Sequence, residues 1–229
     1  MTPQPAHLAE LPARPVAPSL RGMYVPDHFA VTDADEVAEM LRRTPFGCLI
    51  THGPDGLFAS HLPFLHDPQR GVLAGHLARA NPHERLATEG EALVVFQGPH
   101  AYVSPGWYPS KAEHGRVVPT WNYEAVHVYG RLSWRRDRDW LLGLVTALTK
   151  RFEAAQPAPW RVDDAPADHI ERLLGAIVGL EVRIERVVAK RKFSQNRPQA
   201  DVHGVVAGLS ASPAELDRAL AEAMRAHPA

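Results

Sequence analysis

YEAVHVYGRLSW, residues 123–134, is the stretch of sequence that decides the fold class, because its side chains separate into two sets. Val126, Val128, Leu132 and Trp134 alternate with Tyr123, His127, Tyr129 and Arg131. Side chains of a β-strand point alternately to its two faces, so this period of two predicts a strand. One face packs a core, and the other is free to contact a ligand or a partner.

Further apolar runs predict strands on both sides of this stretch. They cover residues 46–52, 57–66, 72–79, 92–97 and 180–192, with turns rich in Gly, Pro and Asp at 53–56 and 67–71. Consecutive hairpins imply an antiparallel sheet. About six strands without βαβ alternation exclude a doubly wound sheet and favour a mainly β fold, a small β-barrel with peripheral helices.

Helical periodicity predicts the peripheral elements. Helices are expected from Thr32 or Asp33 to before Pro45, and over 139–153 and 170–177, with a short helical link around 82–88. A last helix is predicted from Ser212-Pro213-Ala214-Glu215, which matches a capping box with proline at the first helical position. Residues 1–22 hold five prolines and are predicted to be a disordered extension, leaving a folded domain over 23–209 and a C-terminal helix within 210–229.

Composition excludes several classes of protein. The 25 Lys and Arg against 26 Asp and Glu give a net charge of -1, which argues against non-specific nucleic-acid or membrane-surface binding. The single cysteine, Cys48, excludes an internal disulfide and a Cys-based zinc site and suits a reducing compartment, so we expect a cytoplasmic protein. No run approaches the roughly 18 apolar residues of a membrane span. We expect no metal site, because the 13 histidines form no close pairs.

Four short segments carry candidate binding residues. Arg79, followed by the start of a helix with free backbone N–H groups, suits a phosphate, although Arg79 could instead pair with Glu84. Ser60 and His61 are predicted on opposite faces of one strand. The cluster around Trp121 suits stacking on a flat heterocycle or a dimer contact, and the basic stretch 190–192 suits either a solvated strand end or a second arm for an anionic ligand.

Taken together, four segments resemble the PaiB-type family of FMN-binding negative transcriptional regulators, within the wider FMN-binding split-barrel group that includes the pyridoxamine-phosphate oxidases. These segments are Met23 to Phe29, Gly75 to Pro82, Val118 to Gly130 and Lys192 to Arg197. The resemblance implies an FMN-binding split β-barrel. It also implies a homodimer in which two FMN sites are shared between the chains.

The resemblance also implies roles for particular residues. Arg79 and Asn81 would bind near the FMN phosphate or ribityl chain, and Ser60 and His61 would line the strand beneath it. Further cofactor-binding candidates are Lys192, Ser194 and Gln195 from the C-terminal arm, and His76, Trp121 and Tyr123. No catalytic residue is predicted.

Three functions follow from the resemblance as alternatives. The first is a regulator that contacts a protein partner, or DNA through Arg131, Arg135, Arg136 or the basic segment 190–197. The second is a flavin-dependent oxidoreductase that acts on a small molecule. The third is a haem-binding or haem-degrading protein that uses His61, His76 or His127.

Overall fold

A computed structural model describes residues 22–87 and 90–227. The strands are β1 (Ala30–Val31), β2 (Phe46–Gly53), β3 (Gly56–Pro63), β4 (Leu65–Asp67), β5 (Val72–Ala78), β6 (Glu91–Val103), β7 (Thr120–Arg135) and β8 (Ile177–Lys192). The α-helices are α1 (Ala34–Arg43), α2 (His83–Leu86), α3 (Ser110–His114), α4 (Arg138–Glu153), α5 (Ala167–Gly175), α6 (Gln199–Ser210) and α7 (Glu215–Ala226). The predicted extension lies outside the described residues except for Gly22.

The strands form one antiparallel sheet in the order β3-β2-β6-β7-β8-β5-β4, and β1 pairs with β8. Its two end strands, β3 and β4, are separated in the chain only by Phe64, whose N–H donates to the Pro45 carbonyl at 2.7 Å. The two ends of the sheet therefore lie next to each other. The sheet curves into a split barrel, which confirms the fold class expected from the number of strands and from the family resemblance.

The barrel interior is filled by the alternate side chains of the long strands. Leu49, Val94 and Val128 align across β2, β6 and β7 and are fully buried. Outside the barrel, Leu144 and Leu148 of α4 pack on Ala74 of β5. Helix α4 therefore covers β5 on the side that faces away from the barrel interior.

A second apolar cluster lies at the far ends of β6 and β8. Val205 and Leu209 of α6 and Leu220 of α7 are fully buried there. Trp107 lies against α6 so closely that a Cβ on Gly208 would approach its indole ring to 2.4 Å. Glycine is required at this position because the ring fills the space of a side chain.

Most predicted elements are confirmed, and the exceptions have local causes. The predicted strand 57–66 is divided at Phe64, and β6 continues past a bulge between Gln97 and His100. Helix α6 was not predicted, because its apolar residues are largely β-branched valines between two glycines, a composition that does not favour helix.

The predicted capping box of the last helix is wrong. Helix α7 begins at Glu215, and its N-cap is Ala214 instead of Ser212. The Ser212 hydroxyl accepts from the Ala214 N–H at 3.2 Å and donates to Asp217 at 2.6 Å. Ser212 therefore stabilises the turn before the helix, two residues earlier than a capping residue.

Candidate functional site

One face of the sheet points away from the barrel interior on β2, β3, β6, β7 and β8, and we call it the outward face. Strand registers align a row of its side chains: His61, Cys48, Val95, His127 and Val188. All five are half-buried or exposed. Burial raises the pKa of the Cys48 thiol, which disfavours a reactive thiolate. The centre of the row is apolar, and an imidazole lies towards each end.

A second row of the outward face runs parallel to the first. It contains Ala59, Ile50, Leu93, Tyr129 and Arg186. The Arg186 guanidinium lies 3.6 Å from the centre of the Tyr129 ring, a close cation–π contact. The centres of the two rows, with Ile50, Leu93 and Val95, are half-buried and apolar and thus form a surface suited to a partner or a flat ligand.

Aromatic side chains continue the outward face towards the beginning of β7. Tyr123 pairs with His100 on one side and with Lys192 on the other. The Trp121 indole stacks on His100 at 5.9 Å, and Lys192 donates to the Trp121 carbonyl at 2.9 Å. Burial, followed by the charges of Lys190 and Arg197, lowers the pKa of Lys192. The structure therefore brings together three predicted residues, Trp121, Tyr123 and Lys192.

Ser60 and Asn81 belong to a buried polar network inside the same chain. The Asn81 amide donates to the Ser60 hydroxyl at 3.1 Å, and His83 Nδ1 lies 2.8 Å from that hydroxyl. His83 Nε2 lies 2.9 Å from the Thr51 hydroxyl. Because Ser60 accepts from Asn81, its own proton is free for His83 Nδ1, and Nε2–H then donates to Thr51. Burial lowers the pKa of His83, so this neutral tautomer is favoured.

Arg79 lies at the open end of β5, next to this network. Its side chain is exposed, and its guanidinium donates to the Ile177 carbonyl at 3.2 Å. Glu84 pairs with Arg136 at 2.8 Å, so the alternative pairing of Arg79 with Glu84 is wrong. In the described part of the chain no carboxylate lies within ion-pair distance of Arg79, which leaves this cation available to an anion.

The helix that follows Arg79 offers a phosphate fewer free backbone N–H groups than the sequence predicts. Helix α2 has four residues, and the His83 N–H donates to Asn81 Oδ1 at 2.9 Å. The backbone N–H groups of Arg85 and Leu86 donate to the Pro82 carbonyl. Most of the expected backbone donors are therefore used within the turn, and Arg79 is the main phosphate-binding candidate here.

His76 lies apart from the outward face. It shares the side of β5 with Ala74, which α4 covers. Its Nδ1 atom is buried without a hydrogen-bond partner in the described residues, and burial lowers its pKa. His61 and His127 do share the outward face, but three strand spacings separate them by about 14 Å. No pair among these three histidines is therefore suited to ligate one haem iron within one chain.

Ser194 and Gln195 shape the turn that follows β8. The Ser194 hydroxyl accepts from the Asn122 amide at 2.9 Å, and Ser194 has a left-handed φ of 67°. The Gln195 side chain accepts from the Phe193 N–H at 2.7 Å and donates to the Arg191 carbonyl at 2.6 Å. Both side chains are hydrogen-bonded within the chain, and Ser194 is buried.

The two groups of predicted residues lie far apart within one chain. Ser60 aligns through Leu49 and Val94 with Val128, five residues from Tyr123 on β7. Five residues correspond to about 17 Å along the strand, and three strand spacings add about 14 Å across the sheet. Arg79 and Ser60 therefore lie at one corner of the sheet, and Tyr123 and Lys192 at another.

Thr51 and His83 are polar members of this site that the sequence analysis missed. His83 is fully buried and Thr51 nearly so. One signal was present: Thr51 and Ser60 are polar residues at inward positions of two strands in a predicted hairpin. Inward hydroxyls need a buried partner, and the nearby Asn81-Pro82-His83 segment was a candidate to supply it.

The basic residues considered for DNA contact are engaged within the chain. Arg131 pairs with Glu185 at 3.0 Å, and Arg135 pairs with the buried Glu181. Lys190 is buried, and Arg191 pairs with the buried Glu124 at 2.7 Å. Within residues 22–87 and 90–227, none of the helices is long and apolar enough to cross a lipid bilayer.

Comparisons with known proteins agree with this geometry. Residues 23–186 match the family model described as "Putative FMN-binding domain". The protein named protease synthase and sporulation protein PAI 2 of Bacillus subtilis is 36% identical over 190 residues, which cover 82% of this chain and 89% of that protein. An uncharacterized protein of Aspergillus fumigatus is 32% identical, over 89% of this chain and 97% of the relative.

Two solved structures share the fold at low sequence identity. The FAD and heme binding protein from Mycobacterium smegmatis has a TM-score of 0.55 at 18% identity, covering 76% of this chain and 78% of that one. The flavocytochrome Anf3 from Azotobacter vinelandii has a TM-score of 0.57 at 16% identity, covering 78% and 76%. Both likenesses support the split-barrel fold.

The chain belongs to this FMN-binding domain family, and the resemblance to the PaiB-type proteins is confirmed. Its cofactor is FMN. The described residues fit this ligand, because the outward face offers aromatic and half-buried apolar side chains to a flat ring system. Arg79, which has no carboxylate partner in the part of the chain that the structure describes, offers its guanidinium to a phosphate.

Proposed function

We propose that this protein acts as a homodimeric, FMN-binding regulator whose two flavins lie between the subunits. The observation that carries the proposal is the outward face, where half-buried apolar side chains such as Ile50, Leu93 and Val95 form the centre of two aligned rows. Surfaces of this kind on soluble domains commonly mark an interface. A two-fold dimer would bury the same face of both chains.

The separation of the two residue groups supports a site made by two chains. Within one chain, Arg79 and Lys192 lie at different corners of the sheet. If both contact one FMN, the Arg79 of one chain and the Lys192 of the other must approach the same molecule. A two-fold axis through the outward face would create two such sites.

Different roles follow for the predicted residues. Arg79 would bind the phosphate, and His61 would line the strand next to it. Trp121, Tyr123 and Lys192 would contact the ring system from the other chain. Ser60, Asn81, Ser194 and Gln195 would act by holding the two turns in shape, because their polar atoms are used within the chain. Bound FMN would supply the redox chemistry, and the protein would supply its orientation.

Regulation by direct DNA contact has little support from the charge distribution. Arg131, Arg135 and Arg136 each pair with a glutamate. A phosphate contact would have to compete with these pairs. We therefore propose that regulation proceeds through a protein partner or a small effector.

A mutation at the centre of the outward face tests the dimer. Val95→Glu places a charge in the proposed interface, where an unpaired carboxylate is costly. We expect light scattering to report a monomer and FMN affinity to fall. Leu173→Glu is the matched control, because Leu173 is a half-exposed apolar residue of α5. A wild-type chain that is monomeric at micromolar concentration, or a Val95→Glu dimer that retains FMN, would contradict the proposal.

A flavin-dependent oxidoreductase is the second candidate. The observation that favours it is Lys192, which lies beside the exposed Trp121 and whose lowered pKa makes its ammonium a stronger acid than that of an ordinary lysine. Anaerobic mixing with NADPH or NADH separates the two functions. Rapid bleaching of the flavin, followed by turnover with an electron acceptor, would favour the enzyme, and an unreactive flavin would favour the regulator.

A further inference from the structure

We propose that a cavity between α4, α5 and the segment 154–166 is a second binding site, which takes a small monocarboxylic acid with an apolar body. The cavity has a volume of about 1100 Å³. This volume is at the upper end of the range of small-molecule pockets. It does not involve the outward face, so the proposal does not depend on the dimer or on the position of FMN.

The walls of the cavity are mainly apolar. Leu142 on α4, Ile170 on α5, and Pro159, Trp160 and Val162 on the segment between them line it. Helix α4 contributes to both the barrel and the cavity through different sides. Its residues Leu141, Leu144 and Leu148 are buried, while Leu142 lies on the cavity side. Trp160 remains 45% exposed, so its indole is available to a ligand.

The segment that closes the cavity is held in place before any ligand arrives. The Trp160 N–H donates to the Glu153 carboxylate at 3.0 Å, which ties the segment to the end of α4. The Arg161 N–H donates to the Asp164 carboxylate at 2.8 Å. Prolines at 157, 159 and 166 further restrict the chain. A preformed wall reduces the entropy lost on binding.

The charges around the cavity define the ligand. Arg138 pairs with Glu171, and Arg161 pairs with Asp163 at 2.8 Å. Of the cations that line the cavity, all within the described residues, Lys150 alone makes no ion pair. A ligand with an apolar body and one anionic group would fill the cavity and pair with Lys150. An acid with several charges would meet the carboxylates of the rim.

Decanoate is a suitable probe, and FMN-loaded protein is the sample. Isothermal titration calorimetry should show one decanoate bound per chain without release of flavin. Decylammonium has the same chain with the opposite charge, so it should bind much more weakly, because Lys150 repels it. The absence of decanoate binding at millimolar concentration, or equal binding of both probes, would overturn the proposal.

Three variants locate the site. Lys150→Gln should weaken decanoate about 1.5-fold to fivefold, the range expected for one exposed ion pair, and Lys150→Arg should restore most of the affinity. Ala167→Trp should block the cavity at an exposed lining position and leave the melting temperature and FMN affinity unchanged. Lys111→Gln, at an exposed lysine of α3, is the matched control and should bind as wild type does.

The same variants can also contradict the proposed second site. If Lys150→Gln and Ala167→Trp bind decanoate as tightly as wild type, the acid binds elsewhere and the assignment is wrong. If decanoate displaces FMN, the acid competes at the flavin site and the proposed second site is wrong. Failure of the dimer test would not affect the measurement of decanoate binding by the wild-type chain or by these variants, because the cavity lies within a single chain.

Discussion

The turn after β5 and the turn after β8 both contain residues that the resemblance assigns to FMN. The two turns have the same arrangement of polar side chains and cation. In the first, Asn81 and Ser60 are hydrogen-bonded to each other, and Arg79 has no carboxylate partner among residues 22–87 and 90–227. In the second, Ser194 and Gln195 are hydrogen-bonded within the chain, and Lys192 precedes them. In both turns the neutral polar side chains hold the backbone, and a cation lies at the end of the strand.

The two turns differ in how strongly they hold their cations. The Arg79 guanidinium donates to a backbone carbonyl, and its side chain is exposed. Lys192 donates to the Thr120 hydroxyl and to the Trp121 carbonyl and is half-buried. The Arg79 side chain is therefore the freer of the two to bind a ligand. We expect phosphate affinity to depend mainly on the turn after β5.

The largest expected effect is that of Arg79→Ala on FMN affinity. Loss of a charge-assisted contact to the phosphate should weaken FMN by about 2 to 4 kcal/mol, or roughly 30-fold to 1,000-fold, and leave the fold intact. Riboflavin lacks the phosphate, so its affinity should fall far less. Titration of both flavins against the apoprotein, followed by fluorescence quenching, measures the difference.

Arg79→Lys distinguishes the geometry of the contact from its charge. Lysine keeps the charge but lacks the planar fork, so its FMN affinity should lie between those of wild type and Arg79→Ala. If Arg79→Ala weakens FMN and riboflavin equally, or lowers the melting temperature sharply, Arg79 has a structural role and the phosphate binds elsewhere.

His83→Ala should instead destabilise the fold. It removes a fully buried ring and leaves the Ser60 and Thr51 hydroxyls without their shared partner, at a cost of about 2 to 3 kcal/mol. Urea denaturation of the apoprotein measures the loss. His83→Gln keeps a polar side chain there and should lose less. Equal stability of wild type and His83→Ala would show that the network does not support the turn.

Ser194 should show a smaller effect that depends on the replacement. Ser194→Ala removes the hydrogen bond to Asn122 and should cost about 1 kcal/mol. Ser194→Gly removes the same bond but relieves the left-handed backbone, which costs a non-glycine residue about 1 kcal/mol or more. Glycine should therefore be more stable than alanine at this position in denaturant unfolding. The reverse order would contradict a strained turn.

The smallest expected effect is the dependence of the free energy of unfolding on pH. Burial lowers the pKa of His83 below its ordinary value of 6.5. The unfolded chain therefore binds a proton before the folded chain does. Stability is fully present above about pH 6.5 and falls as the pH drops below it. The free energy of unfolding should decrease between about pH 7.5 and about pH 5.5, and His83→Gln should decrease less. His203→Gln, at an exposed histidine of α6, is the control.

The sequence predicted the strands of the barrel well, because burial imposes a strict period. Val126 and Val128 are buried as the alternation requires, and His61 and Ser60 lie on opposite faces of β3. It did not predict α6, because this helix is stabilised by contacts distant in sequence. Gly208 has no helix preference, and only the indole of Trp107 explains its place.

For the candidate site, the sequence by itself determined the kinds of residue and the family. The four segments 23–29, 75–82, 118–130 and 192–197 together indicated an FMN-binding domain. Only the tertiary structure decided which polar side chains are already bonded within the chain. It showed that Asn81 contacts Ser60, that Glu84 pairs with Arg136, and that Arg79 has no acidic partner among the described residues. Such pairings join residues that are distant in sequence, and no local pattern encodes them, because they depend on how the sheet curves.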